Sequence, residues 1–98
     1  MNIIKNIEGN KLEMAVEGRL DTNSSPVFMD AFTEVSEGIE DFVLDLGKVD
    51  YISSAGLRVL LSMQKIMNKQ GKMTIVNATS DLMEVFDLTG FSDILNIE

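Results

Sequence analysis

Residues 50–58 read Asp-Tyr-Ile-Ser-Ser-Ala-Gly-Leu-Arg and join an apolar strand to an amphipathic helix. Ser53 and Ser54 stand where that helix begins, and Gly56 follows in its first turn. A serine hydroxyl at this position caps free backbone N–H groups, and a phosphate there meets the same donors and the positive end of the helix dipole. The stretch therefore predicts either a simple helix cap or a serine whose phosphorylation changes the surface.

Around this junction the chain alternates between strand and helix patterns. Apolar residues two apart predict strands, and apolar residues three and four apart predict helices. The predicted order is strand Ile3–Ile7, strand Lys11–Gly18, a helix from Pro26 with Ser25 as its cap, strand Phe42–Leu46, helix Ser54–Asn68, strand Lys72–Asn77, a helix capped by Thr79 or Ser80, and strand Ile94–Ile97. A hairpin followed by right-handed crossovers gives a single α/β domain over residues 1–98, with a mixed sheet of four to five strands and helices packed on it.

Turn residues set the expected boundaries. Gly47–Asp50 is predicted to be a turn, Gly71 to end the second helix in the left-handed cap position or close to it, and Gly90 to stop the third helix. The strand Phe42–Leu46 is a nearly continuous apolar run, which predicts that both of its faces are covered or nearly so.

The composition excludes several classes of chemistry. The chain has no cysteine and no histidine, which removes thiol redox chemistry, zinc fingers and histidine acid–base catalysis. No acidic cluster has calcium-loop spacing and no P-loop is present, so neither a metal nor a cofactor is expected. A serine hydrolase is disfavoured because Ile52 replaces the first glycine of the Gly-x-Ser-x-Gly elbow and no histidine can activate the hydroxyl.

The distribution of charge is uneven. The net charge of −8 argues against nucleic acid as a partner. The polar N-terminus and the lack of an apolar run of about 20 residues predict a cytoplasmic protein with no membrane span. Residues 51–80 contain no acidic residue but half of all the basic ones, namely Arg58, Lys65, Lys69 and Lys72. This segment is either a solvated helix face or an electrostatically distinct docking surface.

Four segments together resemble a known family. Residues 49–61 (Val-Asp-Tyr-Ile-Ser-Ser-Ala-Gly-Leu-Arg-Val-Leu-Leu) are similar to the signature of STAS domains, and specifically of bacterial anti-sigma factor antagonists. Residues 17–21 match the Gly-x-Leu-Asp loop of that family, and the resemblance continues through residues 43–46 and 85–91. It covers essentially the whole chain and implies a STAS-like fold.

The resemblance also assigns roles to residues. It places the phosphorylated serine of the family at Ser54, two residues before Gly56; Ser53 is the alternative, because it stands where the family often has aspartate. Asp21 matches a loop aspartate that lies near this serine, and Leu57 matches a leucine of the partner-docking surface. The partner-binding residues implied in this way are Asp21, Ser53, Gly56, Leu57 and Arg58.

The family implies a binding module and not an enzyme. Its unphosphorylated antagonists bind an anti-sigma factor with a GHKL-type serine kinase domain and so release the sigma factor. The kinase inactivates the antagonist by phosphorylating the serine with ATP, and a PP2C-type phosphatase reverses the modification. The alternative is a STAS subunit of a lipid-transport or other signalling complex, which acts by protein binding without phosphorylation.

Overall fold

The predicted N-terminal hairpin forms one edge of a four-stranded sheet in the computed structural model, which describes residues 1–98. The strands are β1 (Asn2–Glu8), β2 (Lys11–Leu20), β3 (Asp41–Ile52) and β4 (Lys72–Val76); the helices are α1 (Ser25–Thr33), α2 (Ser54–Asn68) and α3 (Ser80–Thr89), with a 3-10 turn at Phe91–Asp93. The sheet order is β1-β2-β3-β4, with β1 antiparallel to β2 and the other pairs parallel. The prediction of a mixed α/β sheet is confirmed.

One continuous apolar core joins the sheet to the helices. β2 alternates as predicted and buries Leu12, Met14 and Val16. The rings of Phe32 in α1 and Phe42 in β3 lie with centroids 4.9 Å apart, so the first crossover helix is packed directly on a central strand. No helix of the chain has the combination of length and apolar character needed to cross a membrane.

Only one face of β3 is deeply buried. Phe42, Leu44 and Leu46 are fully buried, whereas Val43 and Asp45 between them are half-buried. The expectation that both faces would be covered or nearly so is therefore met fully on one face and only in part on the other. Buried and half-buried residues alternate along this strand. The sequence does not show the alternation, because an apolar residue such as Val43 is tolerated on a face that is partly open to solvent.

The predicted turn at Gly47–Asp50 is wrong, because β3 continues through it to Ile52. Ala15 pairs with Asp45 but Glu17 pairs with Lys48, so β3 carries one residue more than β2 in this interval. The backbone N–H of Gly47 donates to Asp45 Oδ1 at 2.8 Å. The residues that favour a turn thus form a β-bulge within the strand, and the local backbone geometry of a bulge is similar to that of a turn.

The N-terminal caps of the helices follow the predictions in part. Thr79 caps α3 by accepting a hydrogen bond from the backbone N–H of Leu82 at 3.3 Å. Of the two predicted caps, Thr79 and Ser80, the first is therefore the observed one. The expected cap of α1 is wrong, because Ser24 occupies the N-cap position and Ser25 is a buried helical residue.

The C-terminal boundaries differ more. Gly90 ends α3 as predicted, and its backbone there is left-handed with φ 82°. Gly71 does not have a positive φ; α2 ends at Asn68, and its C-cap Lys69, two residues before Gly71, is in the right-handed region. The terminal strand is reduced to one parallel bridge between Ile75 and Ile97.

Candidate functional site

The carboxyl ends of β2 and β3 bring the two candidate segments together. Leu20 and Ile52 are the last paired residues of the two parallel strands, and the backbone N–H of Ser53 donates to the carbonyl of Leu20 at 2.8 Å. Asp21 follows Leu20 directly and Ser53 follows Ile52, so both begin their loops at the same edge of the sheet. This edge is where open α/β sheets commonly carry their binding sites.

The two serines of the junction have different environments. Ser53 is the N-cap of α2, with extended backbone (φ −95°, ψ 177°), and its Oγ accepts a hydrogen bond from the N–H of Gly56 at 3.3 Å. Ser54 is the first helical residue and is exposed. The capping interpretation thus applies to Ser53, and the hydroxyl of Ser54 is open to solvent.

The N-terminus of α2 carries no compensating charge. Its first turn contains no acidic residue, whereas the first turn of α3 contains Asp81. The positive end of a helix dipole stabilises a negative group by typically ~0.3–1 kcal/mol at an exposed position. A negative charge attached to Ser54 would therefore be stabilised by the dipole of α2.

Gly56 positions the start of α2 by close packing. A Cβ at this residue would lie 2.8 Å from Ile52 Cγ1 and 2.9 Å from the carbonyl oxygen of Leu20. This face of Gly56 therefore lies against the strand ends and is closed to a partner. Leu57 is only 9% exposed. Both residues fix Ser54 by packing, and their contact with a partner stays a prediction.

Asp21 organises the loop between β2 and α1. Its Oδ1 accepts hydrogen bonds from the backbone N–H groups of Asn23 and Ser24, each at 3.0 Å. Arg19 Nε lies 3.7 Å from Asp21 Oδ2. The pKa of Asp21 is lowered, first by the hydrogen bond from the Ser24 backbone and also by the hydroxyl of Ser24, the backbone of Asn23 and the charge of Arg19. The aspartate is therefore an ionised turn residue beside the serine junction.

Sequence reasoning missed a contact that borders this site. The guanidinium carbon of Arg19 lies 4.1 Å from the centroid of the Tyr51 ring, and Tyr51 is 42% exposed. Arg19 pairs with Tyr51 near the carboxyl ends of β2 and β3, so the parallel pairing of residues 19–20 with residues 51–52 was the signal that could have found this contact. Arg19 also lines a surface depression of about 590 Å³, together with Met1, Asp21 and Val27.

The lowered pKa of Asp21 predicts a pH-dependent contribution to stability. Because the folded carboxylate titrates below its unfolded value, its contribution is complete above about pH 4 and is lost as the pH falls through the folded pKa. We expect Asp21→Asn to be less stable than the wild type at pH 7 and to approach it at pH 3. Urea unfolding from pH 7 to pH 3 measures the difference, and a difference that stays constant over this range would contradict the assignment.

Comparison with known proteins gives the family. The chain matches the family model of the STAS domain over residues 2–98. It is 31% identical over 100 residues to the anti-sigma-B factor antagonist of Bacillus subtilis (strain 168), an alignment that covers 99% of this chain and 92% of that protein.

Solved structures share the fold. An anti-sigma factor antagonist from Mycobacterium paratuberculosis superimposes with a TM-score of 0.86 at 20% identity, over 98% of this chain and 83% of the other. The anti-sigma factor antagonist SpoIIAA in its unphosphorylated form gives a TM-score of 0.77 at 10% identity, over 99% and 87%. The phosphorylated form of Bacillus SpoIIAA gives 0.76 at 11%, over 99% and 91%. At these identities the structures show a common architecture, and the match of residues 2–98 to the family model shows that the chain belongs to the STAS domain family.

Proposed function

We propose that this protein is an anti-sigma factor antagonist that binds an anti-sigma factor when Ser54 is unmodified and is switched off by phosphorylation of Ser54. The observation that carries the proposal is the exposed hydroxyl of Ser54 at the uncompensated N-terminus of α2, beside the ionised Asp21 loop. Support comes from the relatives, several of which are anti-sigma-B factor antagonists.

The protein acts in this scheme by binding and not by catalysis. The kinase domain of the anti-sigma factor supplies ATP and the catalytic base. The Oγ of Ser54 forms a bond to the γ-phosphorus, the bond to ADP breaks, and the hydroxyl proton passes to the kinase. This chain contributes only the acceptor and its position. A PP2C-type phosphatase in the same bacterial cytoplasm restores the serine by hydrolysis.

Phosphorylation changes the surface more than the fold. A phosphoserine carries about −1.5 to −2 charges at pH 7, and the N-terminus of α2 stabilises them. The cap of the helix is provided by Ser53, whose Oγ accepts the hydrogen bond from Gly56, so modification of Ser54 removes no capping group. The partner then meets a dianion next to Arg58 where it had met a neutral hydroxyl, and the charge must be desolvated for docking.

The first test is direct phosphorylation by an anti-sigma factor of the GHKL kinase class from the same genome. Incubation with ATP is expected to add about 80 Da, the mass of one phosphoryl group, to the tryptic peptide 49–58, which contains both Ser53 and Ser54. Fragmentation of that peptide locates the group on Ser54. Isothermal titration calorimetry then compares the modified and unmodified proteins, and the modified protein is expected to bind far more weakly.

Two variants make this test specific. Ser54→Ala is expected to bind the anti-sigma factor and to accept no phosphate, whereas Ser53→Ala is expected to be phosphorylated normally and to be less stable by ~1 kcal/mol through loss of its cap. Binding with no mass increase on either serine would contradict the switch and favour a STAS subunit that acts without phosphorylation. Modification of Ser53 alone would contradict the choice of residue.

A further inference from the structure

The basic residues of the chain fall into two groups. Four of the eight have a side-chain nitrogen within 4.0 Å of a carboxylate oxygen: Lys5, Lys11, Arg19 and Lys48. The other four are Arg58, Lys65, Lys69 and Lys72, and none of them forms an ion pair. All the basic side chains without an ion-pair partner therefore lie on α2 and the residues that follow it.

Three of these unpaired residues share one face of α2. Arg58, Lys65 and Lys69 are spaced by seven and four positions, and all are exposed. At 100° per residue they fall within a narrow sector that also contains the exposed Ser54 and Ser62. The buried residues of the helix, such as Leu60, Met63 and Met67, lie on the opposite side. We call Arg58, Lys65 and Lys69 the basic stripe; with Ser54 at its beginning it is about 22 Å long.

The stability of the helix explains only part of the stripe. Lys65 and Lys69 lie near the C-terminus of α2, where the dipole favours positive charge. Arg58 lies near the N-terminus, where the dipole opposes it. Residues three and four positions away from Arg58 include no acid that could form a helical ion pair, because residues 51–80 contain none. Arg58 therefore has no charged partner within the molecule.

We propose that the basic stripe docks on an acidic surface of the partner protein; this inference rests on the function proposed above. Charge complementarity selects this partner chemistry. All sixteen acidic residues and only four basic ones lie outside residues 51–80, so an acidic partner is repelled by the rest of the chain and attracted by the stripe. The stripe thus orients the complex as well as strengthening it.

The position of Ser54 links the stripe to the switch. Ser54 and Arg58 are four residues apart on the same helix face, which is the spacing at which opposite charges interact. A phosphate on Ser54 adds nearly two negative charges at the end of a stripe that carries three positive ones. Phosphorylation therefore removes most of the attraction at the same moment as it introduces a group that the acidic partner repels.

The test neutralises the stripe and compares it with a matched control. Arg58→Gln, Lys65→Gln and Lys69→Gln are combined in one protein; Lys5→Gln, Lys11→Gln and Lys48→Gln, which remove the same total charge from paired positions, are combined in another. Association with the anti-sigma factor is measured by stopped flow at 50 mM and 500 mM NaCl. We expect the stripe variant to associate about tenfold more slowly at 50 mM and nearly normally at 500 mM, and the control to differ by less than about threefold at both.

The outcomes separate this inference from the proposed function. Thermal unfolding first confirms that both variants fold. If the stripe variant associates like the wild type while the phosphorylated wild type does not bind, the acidic-partner inference is overturned and the phosphorylation switch stands. Equal slowing by both variants would also overturn it. Sedimentation with anionic vesicles, or self-association that only the stripe variant loses, would assign the stripe to a lipid surface or to a second copy of this chain instead.

Discussion

Ser54→Glu is expected to weaken binding to the anti-sigma factor by about 100-fold while the domain stays folded. A carboxylate that must lose water at an interface without a partner costs on the order of 2–3 kcal/mol, and each 1.4 kcal/mol is a factor of ten in affinity. Folding is retained because Ser54 is exposed and lies where the dipole of α2 favours negative charge. Calorimetry gives the affinity, and urea unfolding gives the stability of the same protein.

The matched control is Ser80→Glu. Ser80 is also an exposed serine in the first position of a helix, and it follows the capping Thr79 as Ser54 follows Ser53. It therefore receives the same charge in the same local geometry at another place on the surface. We expect Ser80→Glu to bind within about threefold of the wild type, as is typical of an exposed charge away from an interface. Equal loss in both variants would indicate a general effect of charge, and no loss in Ser54→Glu would remove the charge-based switch.

Gly71→Ala is expected to destabilise the domain by roughly 3 kcal/mol or more. A Cβ at this residue would overlap the carbonyl group of Glu40 and lie 2.7 Å from its Cα. Backbone atoms cannot turn away as a side chain does, and the N–H of Lys72 donates to this same carbonyl at 2.9 Å. The start of β4 must then separate from the start of β3. Urea unfolding measures the loss.

Gly38→Ala provides the comparison for Gly71. Gly38 has φ 80° and no atom within 4 Å of the position of a new Cβ, so alanine there meets conformational strain but no collision. The cost of that strain is about 1–2 kcal/mol. If the two variants lost the same stability, the close approach of Gly71 to Glu40 would not be the reason for glycine at that position.

The junction between β3 and α2 was predictable because local chemistry determines it. A serine pair before an amphipathic helix fixes the cap, and the start and end of α2 were placed at Ser54 and Asn68 as observed. The parallel order of β2 and β3 then brings Asp21 beside the start of α2. Resemblance to the family assigned the site, and the geometry explains how these residues meet.

The errors arose where long-range packing overrides local preference. Gly47 was interpreted as a turn residue, but pairing of the following residues with β2 holds the chain extended and confines the glycine to a bulge. Gly71 was interpreted as a left-handed cap, although the approach of Glu40 is what requires it. The contact of Arg19 with Tyr51 likewise depends on strand pairing and has no local pattern. Each of these features needs two distant segments to be placed before it can be predicted.

The close packing of Gly56 against Leu20 and Ile52 means that the backbone at the N-terminus of α2 has little freedom to move. If Ser54 is phosphorylated as proposed, this packing holds the start of α2 in the same position in both forms. The phosphorylated and unphosphorylated forms would then be nearly superimposable, and a partner would distinguish them by the charge at residue 54. The rate of switching would then be set by the kinase and the phosphatase, because the domain itself undergoes no conformational change.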